Sequence, residues 1–210
     1  MSYSATSWHP PTLDKQRIID LCRVHEKRIW NIYLYGSQVY GTNTMASDFD
    51  VLVIASSLYD HKEFHDGTYN VHLKTPDIFR DELWRYKMSA LECVYAPEFA
   101  VVQEKNKYDD FVINPTCLQR QSLSESHNSW VRGKRMILDR DMHRGMKSLW
   151  HSLRILLFAD QILNEGAIFD FSAANNHWER IDDSECVKWN DFKNMLLPTK
   201  IVLEDIVRDK

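Results

Sequence analysis

No window of the 210-residue chain approaches the roughly 20 consecutive apolar residues that a membrane helix needs. The opening run MSYSATSWHPP also lacks a basic region followed by an apolar stretch. The sequence thus gives no sign of a membrane partner or a secretory leader, and a cytoplasmic location is expected. Cysteine is sparse: Cys22, Cys93, Cys117 and Cys186 stand far apart, without a CxxC pair or the Cys/His spacing of a zinc site, so reduced thiols are expected. Positive charge is not in excess. A formal net charge of −4 argues against coating nucleic acid by bulk electrostatics, although it allows a local basic groove. Internal repeats and low-complexity tracts are missing too. What is present is an ordinary globular composition, 44% apolar and 27% charged. Its seven Trp, nine Tyr and nine Phe supply a core that needs no disulfide or metal staple.

Apolar residues recur at helical spacing from Thr12, a candidate N-cap, to about Lys27. Trp30 to Tyr35 reads as a strand stopped by Gly36-Ser37, residues 37–41 as one helical turn, and Asp48 to Ala55 as the next strand. Asp66-Gly67 marks a turn before a third strand, Thr68 to Lys74. Thr75-Pro76 opens a helix expected to reach about Lys87, and a shorter helix through Leu91 and Val94 stops before Pro97. Beyond about Tyr108 strand signals fade. Trp130 to Glu165 and Val187 to Val207 are helical in pattern, with Met142, Met146, Leu149, Trp150, Leu153, Leu156 and Leu157 marking a largely buried face that ends at Gly166. The expected organisation is α+β, with a small mixed or antiparallel sheet bearing helices on one face over residues 1–108. A helical domain over 109–210 would close on the cleft.

The chemistry concentrates between Tyr33 and Ile54. Gly36 lets backbone approach a triphosphate without a Cβ in the way, and Ser37 offers its hydroxyl and amide to phosphate oxygens. Asp48 and Asp50, two apart on one strand, point the same way, and two such carboxylates suit a hard cation such as Mg²⁺ or Mn²⁺. The reaction they serve is in-line displacement at phosphorus. Either motif alone is common; a Gly-Ser bend followed after eleven residues by Asp-x-Asp, with a strand on each side, is not.

This segment resembles the DNA polymerase β-type nucleotidyltransferase superfamily. The fuller string GSxxYGxxxxxSDxD is similar to the branch of predicted nucleotidyltransferases associated with RNA ligases. The resemblance implies nucleotide contacts at Gly36, Ser37, Tyr40, Gly41 and Ser47, with metal at Asp48 and Asp50. It extends to Leu91-Glu92 and, more loosely, to Lys147, His151 and Arg154. Those last three share one helical stripe at i, i+4 and i+7 and would meet a triphosphate or an acceptor strand. It also implies transfer of a nucleoside monophosphate from an NTP such as ATP to a hydroxyl on an RNA end, a protein or a small molecule, with release of pyrophosphate.

The superfamily draws a third carboxylate from the following strand, and nine residues before Phe79 stands Asn70. Its neutral carbonyl is a weaker metal ligand and takes no proton from an attacking hydroxyl. His72, two positions on, offers a candidate base. The alternative to an enzyme is accordingly a weakened or inactive nucleotide-binding or antitoxin-like interaction protein. Arg132, Lys134 and Arg135 beside Trp130 read either as a solvated helix end or as a phosphate and base contact. Arg144 to His151 matches the loose spacing of HEPN ribonucleases, with Gly145 where a polar residue is usual.

Overall fold

The computed structural model describes residues 13–57 and 61–210. Thr12, the expected N-cap, lies outside them. Asp14 caps the first helix, α1 (Lys15–Cys22), by accepting from the Arg17 amide, and Arg23 ends it in a left-handed conformation. The chain continues through β1 (Ile29–Tyr35), the single turn α2 (Ser37–Tyr40), β2 (Phe49–Ala55), β3 (His61–His65) and β4 (Tyr69–Lys74). Two helices, α3 (Pro76–Trp84) and α4 (Met88–Val94), lead to β5 (Val101–Glu104). Four helices follow: α5 (Pro115–Leu138), α6 (Met142–Glu165), α7 (Asn175–Asp182) and α8 (Trp189–Arg208). No helix among the described residues is long and apolar enough to cross a membrane.

The sheet is mixed, in the order β3-β4-β2-β1-β5. Strand β4 runs parallel to β2, and the other pairings are antiparallel. Val51, Val53, Val71 and Leu73 are fully buried on one face. The opposite face carries the polar positions, with Tyr35 opposite Asp50, Asp50 opposite Asn70, and Leu52 opposite His72. Helix α1 packs against the face of Tyr69, whose hydroxyl accepts from the Asp14 amide and whose ring lies under Arg17. Helix α3 lies on the other face, where Glu82 pairs with Lys74 at 2.5 Å. Helices therefore cover both faces rather than the one expected.

Strands β3 and β5 had no sequence expectation. The β3 segment HKEFH has too little apolar content to read as a strand, but it pairs along β4 as the sheet edge. The end of β5 is fastened by Asn31, whose buried side-chain oxygen accepts from the Lys105 and Asn106 amides. The helical pattern from Trp130 to Glu165 breaks at Asp139–Asp141, where Arg140 takes a left-handed conformation (φ 66°). The chain then reverses into an α5–α6 hairpin. Gly133 and Gly145 let these helices touch: a Cβ at Gly133 would stand 2.8 Å from Leu149 Cδ2, and one at Gly145 2.6 Å from Ile137 Cγ1. Gly145 is thus a packing position, which accounts for the missing polar residue in the ribonuclease-like spacing.

Candidate active site

Between the Gly36–Asp50 segment and the α5–α6 hairpin lies a cleft of ≈ 660 Å³, within the range of small-molecule sites. Its floor is Gly36, Ser37, Ser47, Asp48 and Asp50. Gly36 has φ 77° and ψ −153°, a combination essentially reserved for glycine. It must also lack a side chain for space, since a Cβ there would come within 2.5 Å of Asp50 Oδ2. One residue type thus satisfies two demands, a sharp bend and room for a carboxylate beside it. The following loop is shaped by Ser47, whose hydroxyl accepts from the Thr44 amide at 2.9 Å. That turn delivers Asp48 to the start of β2.

Asp50 is half-buried, and burial pushes its carboxyl above the ordinary range. The neighbouring Asp48 adds to the rise, while a hydrogen bond from Asn70 and the charges of His72 and Lys147 oppose it. Two carboxylates driven together beside a bend that excludes side chains form an electrostatically unfavourable group which a divalent cation would relieve. The donor set therefore fits a hard oxygen-seeking ion.

The opposite wall is cationic. Lys147 and Arg132 project into the cleft from α6 and α5, and neither makes an ion pair among the described residues. Arg132 is steadied by donating from Nε to Ser148 Oγ at 2.9 Å. His151 lies deeper. Its Nδ1 stands 2.8 Å from Arg154, which can only donate, so Nδ1 accepts and the neutral ring carries its proton on Nε2. Burial, then Arg154 and Arg132, push His151 well below its usual pKa. Arg154 is buried at the base, where it pairs with Glu92 Oε1 at 3.4 Å and lies 3.7 Å over the Tyr40 ring. The Tyr40 hydroxyl donates to the other oxygen of Glu92. Three sequence segments that the family string joined only by order, around Tyr40, Glu92 and Arg154, thus meet in one buried cluster.

Residues 16–109 match the family model described as nucleotidyltransferase domain. This segment is a polymerase β-like nucleotidyltransferase domain. Among solved structures the chain is similar to a nucleotidyltransferase-like protein from Exiguobacterium sibiricum 255-15. The identity is 16% over 93% of this chain and 73% of that one, with a TM-score of 0.34. No curated protein sequence matches the chain.

Within the nucleotidyltransferase domain and the helices beyond it, the residues picked from sequence separate into groups. Gly36, Ser37, Ser47, Asp48, Asp50 and Lys147 line the cleft. Tyr40, His151 and Arg154 also border it, but Tyr40 and Arg154 are buried and engaged with Glu92. Gly41 does not line it; it closes α2 at φ 75° and stands 3.8 Å from Asn175, were it to carry a Cβ. Asn70, the residue picked by counting back from Phe79, lies beside Asp50 but is turned as a donor: its Nδ2 reaches Asp50 Oδ1 at 2.9 Å. His72 does not line the cleft. Its Nδ1 faces Glu63 Oε1 at 3.4 Å, its ring meets the edge of Tyr35, and burial holds its pKa below normal.

Sequence reading met some contributors only in another guise, Arg132 as one of a basic cluster and Trp150 as core, and missed Asn175 and Trp178. Arg132 belonged to a basic cluster that the fold disperses, with Lys134 over the Trp189 ring and Arg132 alone in the cleft. Its partner Trp130 packs edge-on to Trp189 and is core, not a base platform. Asn175 ties α7 to the Gly-Ser bend by donating to the Tyr40 carbonyl at 2.7 Å. Trp150 and Trp178, 5.6 Å apart, form the aromatic side of the cleft. None of these had a local motif, since each depends on contacts more than 20 residues away or on the hairpin geometry.

Proposed function

We propose that this cleft transfers a nucleoside monophosphate from an NTP to a hydroxyl acceptor and releases pyrophosphate, with Asp48 and Asp50 holding Mg²⁺ or Mn²⁺. The observation that carries the reading is the seating of Asp48 and Asp50 beside a glycine bend, opposite cations on α5 and α6 that make no ion pair among the described residues. Gly36 and Ser37 would receive the triphosphate tail, with the Ser37 hydroxyl donating to a phosphate oxygen. Lys147 and Arg132 neutralise charge on the same phosphates and hold them for in-line attack. His151, neutral with a proton on Nε2, can donate a hydrogen bond without adding charge. Trp150 and Trp178 shield the cleft from water on one side. When bound, the cation supplies charge screening at the phosphates and acidifies the attacking hydroxyl. In the same proposal residues 1–108 act as the nucleotidyltransferase domain and 109–210 as a helical cover.

A second reading, a nucleotide-binding protein with weak or no transfer, is favoured by one contact. Asn70 offers Asp50 an N–H at the position where a third carboxylate would sit. Incubation with each α-labelled NTP and Mg²⁺, alone and with RNA or cell lysate, separates the two. Label transfer that falls by at least about a thousandfold in Asp48→Ala, on the scale of losing a principal electrostatic contributor, supports the enzyme. Saturable NTP binding with no label moved to any acceptor supports the second reading.

A further inference from the structure

Three side chains outside the cleft gather on the exposed β3–β4 ribbon. His61 and Glu63 alternate along β3 and so share a face, and Glu63 stands directly opposite His72 on β4. Glu63 Oε1 is 3.4 Å from His72 Nδ1 and 3.9 Å from His61 Nε2. One ligand atom from each of the three lies within 4.8 Å of the other two. Ligands about 2.0–2.2 Å from a tetrahedral ion stand roughly 3.3–3.5 Å apart, so two edges of such a polyhedron are nearly formed before any ion arrives. The two imidazoles also stack, 6.1 Å apart and 15° from parallel, which presents both rings to the same space. Lys74, cross-strand from His61, does not compete for Glu63, because its ammonium is held by Glu82.

We propose that His61, Glu63 and His72 form a transition-metal site, separate from the Asp48/Asp50 pair and of opposite ligand preference. Two imidazole nitrogens and one carboxylate oxygen suit Zn²⁺, Co²⁺ or Ni²⁺, whereas Mg²⁺ prefers oxygen alone. His61 and Glu63 are both exposed, so water completes the coordination and the ion exchanges freely with solvent. Because among the described residues β3 is the outermost strand and pairs only with β4, an ion bridging the two fastens the sheet edge. The site does not rest on the nucleotidyl-transfer reading, since none of its three residues lines the cleft.

The test uses the full chain without an affinity tag, stripped with chelator and then titrated with CoCl₂ or ZnCl₂ alone. The expected result is one equivalent of Co²⁺ with visible d–d bands of a low-coordinate nitrogen-oxygen site, displaced by Zn²⁺ and indifferent to a large excess of MgCl₂. His61→Ala and Glu63→Gln, surface changes that leave folding intact, should each weaken Co²⁺ binding by at least about tenfold, and Asp48→Ala should leave it unchanged. Thermal unfolding should move upward with Zn²⁺ in the parent and not in His61→Ala. Failure to bind Co²⁺, or binding lost in Asp48→Ala and kept in His61→Ala, overturns the proposal. The second pattern would put the ion in the cleft instead.

Discussion

Replacing Arg154 by Met removes a buried cation while keeping an elongated side chain against the Tyr40 and Trp150 rings, which lie 3.7 and 4.9 Å from the guanidinium. It leaves Glu92, 4% exposed, with the Tyr40 hydroxyl as a donor and no countercharge. At the 3.4 Å separation of Arg154 and Glu92, an effective dielectric constant near 20 gives an attraction of about 5 kcal/mol. Breaking one side of a buried pair costs about 3–5 kcal/mol in practice. For a chain of this size that is a fall in Tm of roughly 6–20 °C. Burial already raises the Glu92 pKa against the pull of Arg154, and loss of the arginine raises it further. A carboxyl whose folded pKa exceeds its unfolded value holds its proton more tightly in the folded chain. Acidification through that folded pKa therefore restores stability, and a rise in pH removes it. Urea unfolding of the parent, Arg154→Met and Glu92→Gln/Arg154→Met at pH 5 and pH 8 measures all of this. The single variant should lose most at pH 8 and less at pH 5, and the double variant should recover about 2 kcal/mol or more at pH 8. An Arg154→Met loss below about 1 kcal/mol, or one equal at the two pH values, would refute the assignment of Glu92 as a charge sustained by Arg154.

Gly36→Ala should fold but lose nucleotide transfer or binding by at least about a hundredfold. Its Cβ meets Asp50 Oδ2 at 2.5 Å, and the backbone conformation costs a further 1–3 kcal/mol for a residue other than glycine. Calorimetric NTP titration alongside circular dichroism checks this, and retained affinity would mean that the carboxylate position is immaterial. Asn70→Asp exchanges the donor 2.9 Å from Asp50 for a like charge, so unfolding free energy without metal should drop by about 1–3 kcal/mol at neutral pH. The deficit should shrink on adding MgCl₂ and on lowering the pH, because the crowded carboxyls then have raised folded pKa values. A variant indifferent to MgCl₂ would separate Asn70 from the metal.

The sheet half of the site was legible in the sequence because its parts are neighbours in the chain. A strand, a Gly-Ser bend and a second strand with alternating acids fix one another through local geometry, and the count back from Phe79 picked Asn70, which pairs with Asp50 across β2 and β4. The role of Asn70 as a donor was not legible, since an amide can face either way until its surroundings are known. The cationic wall was legible only in part, Lys147 from its helical stripe and Arg132 only as one member of a basic cluster. Arg132 enters the cleft because α5 and α6 cross at Gly133 and Gly145, and the reversal at Arg140 occurs at a residue with no glycine or proline to announce it. Glu92 and Arg154, 62 residues apart, illustrate the same limit, as the resemblance picked out each singly but nothing in the sequence pairs them. Strand β3 stayed hidden because its side chains are mostly charged or histidine, so pairing rather than burial makes it a strand.

The glycine contact between α5 and α6 has a mechanical consequence. Helices locked at van der Waals distance cannot slide past each other, so Arg132 and Lys147 travel as a single rigid jaw. If the cleft takes a nucleotide as proposed, any opening to admit it would fall to the facing segment, residues 42–47, rather than to the hairpin. That segment is one chain thick, and its Met45 projects wholly into solvent. On the proposed function, stiffening that segment rather than the hairpin would slow turnover while leaving Arg132 and Lys147 where they are.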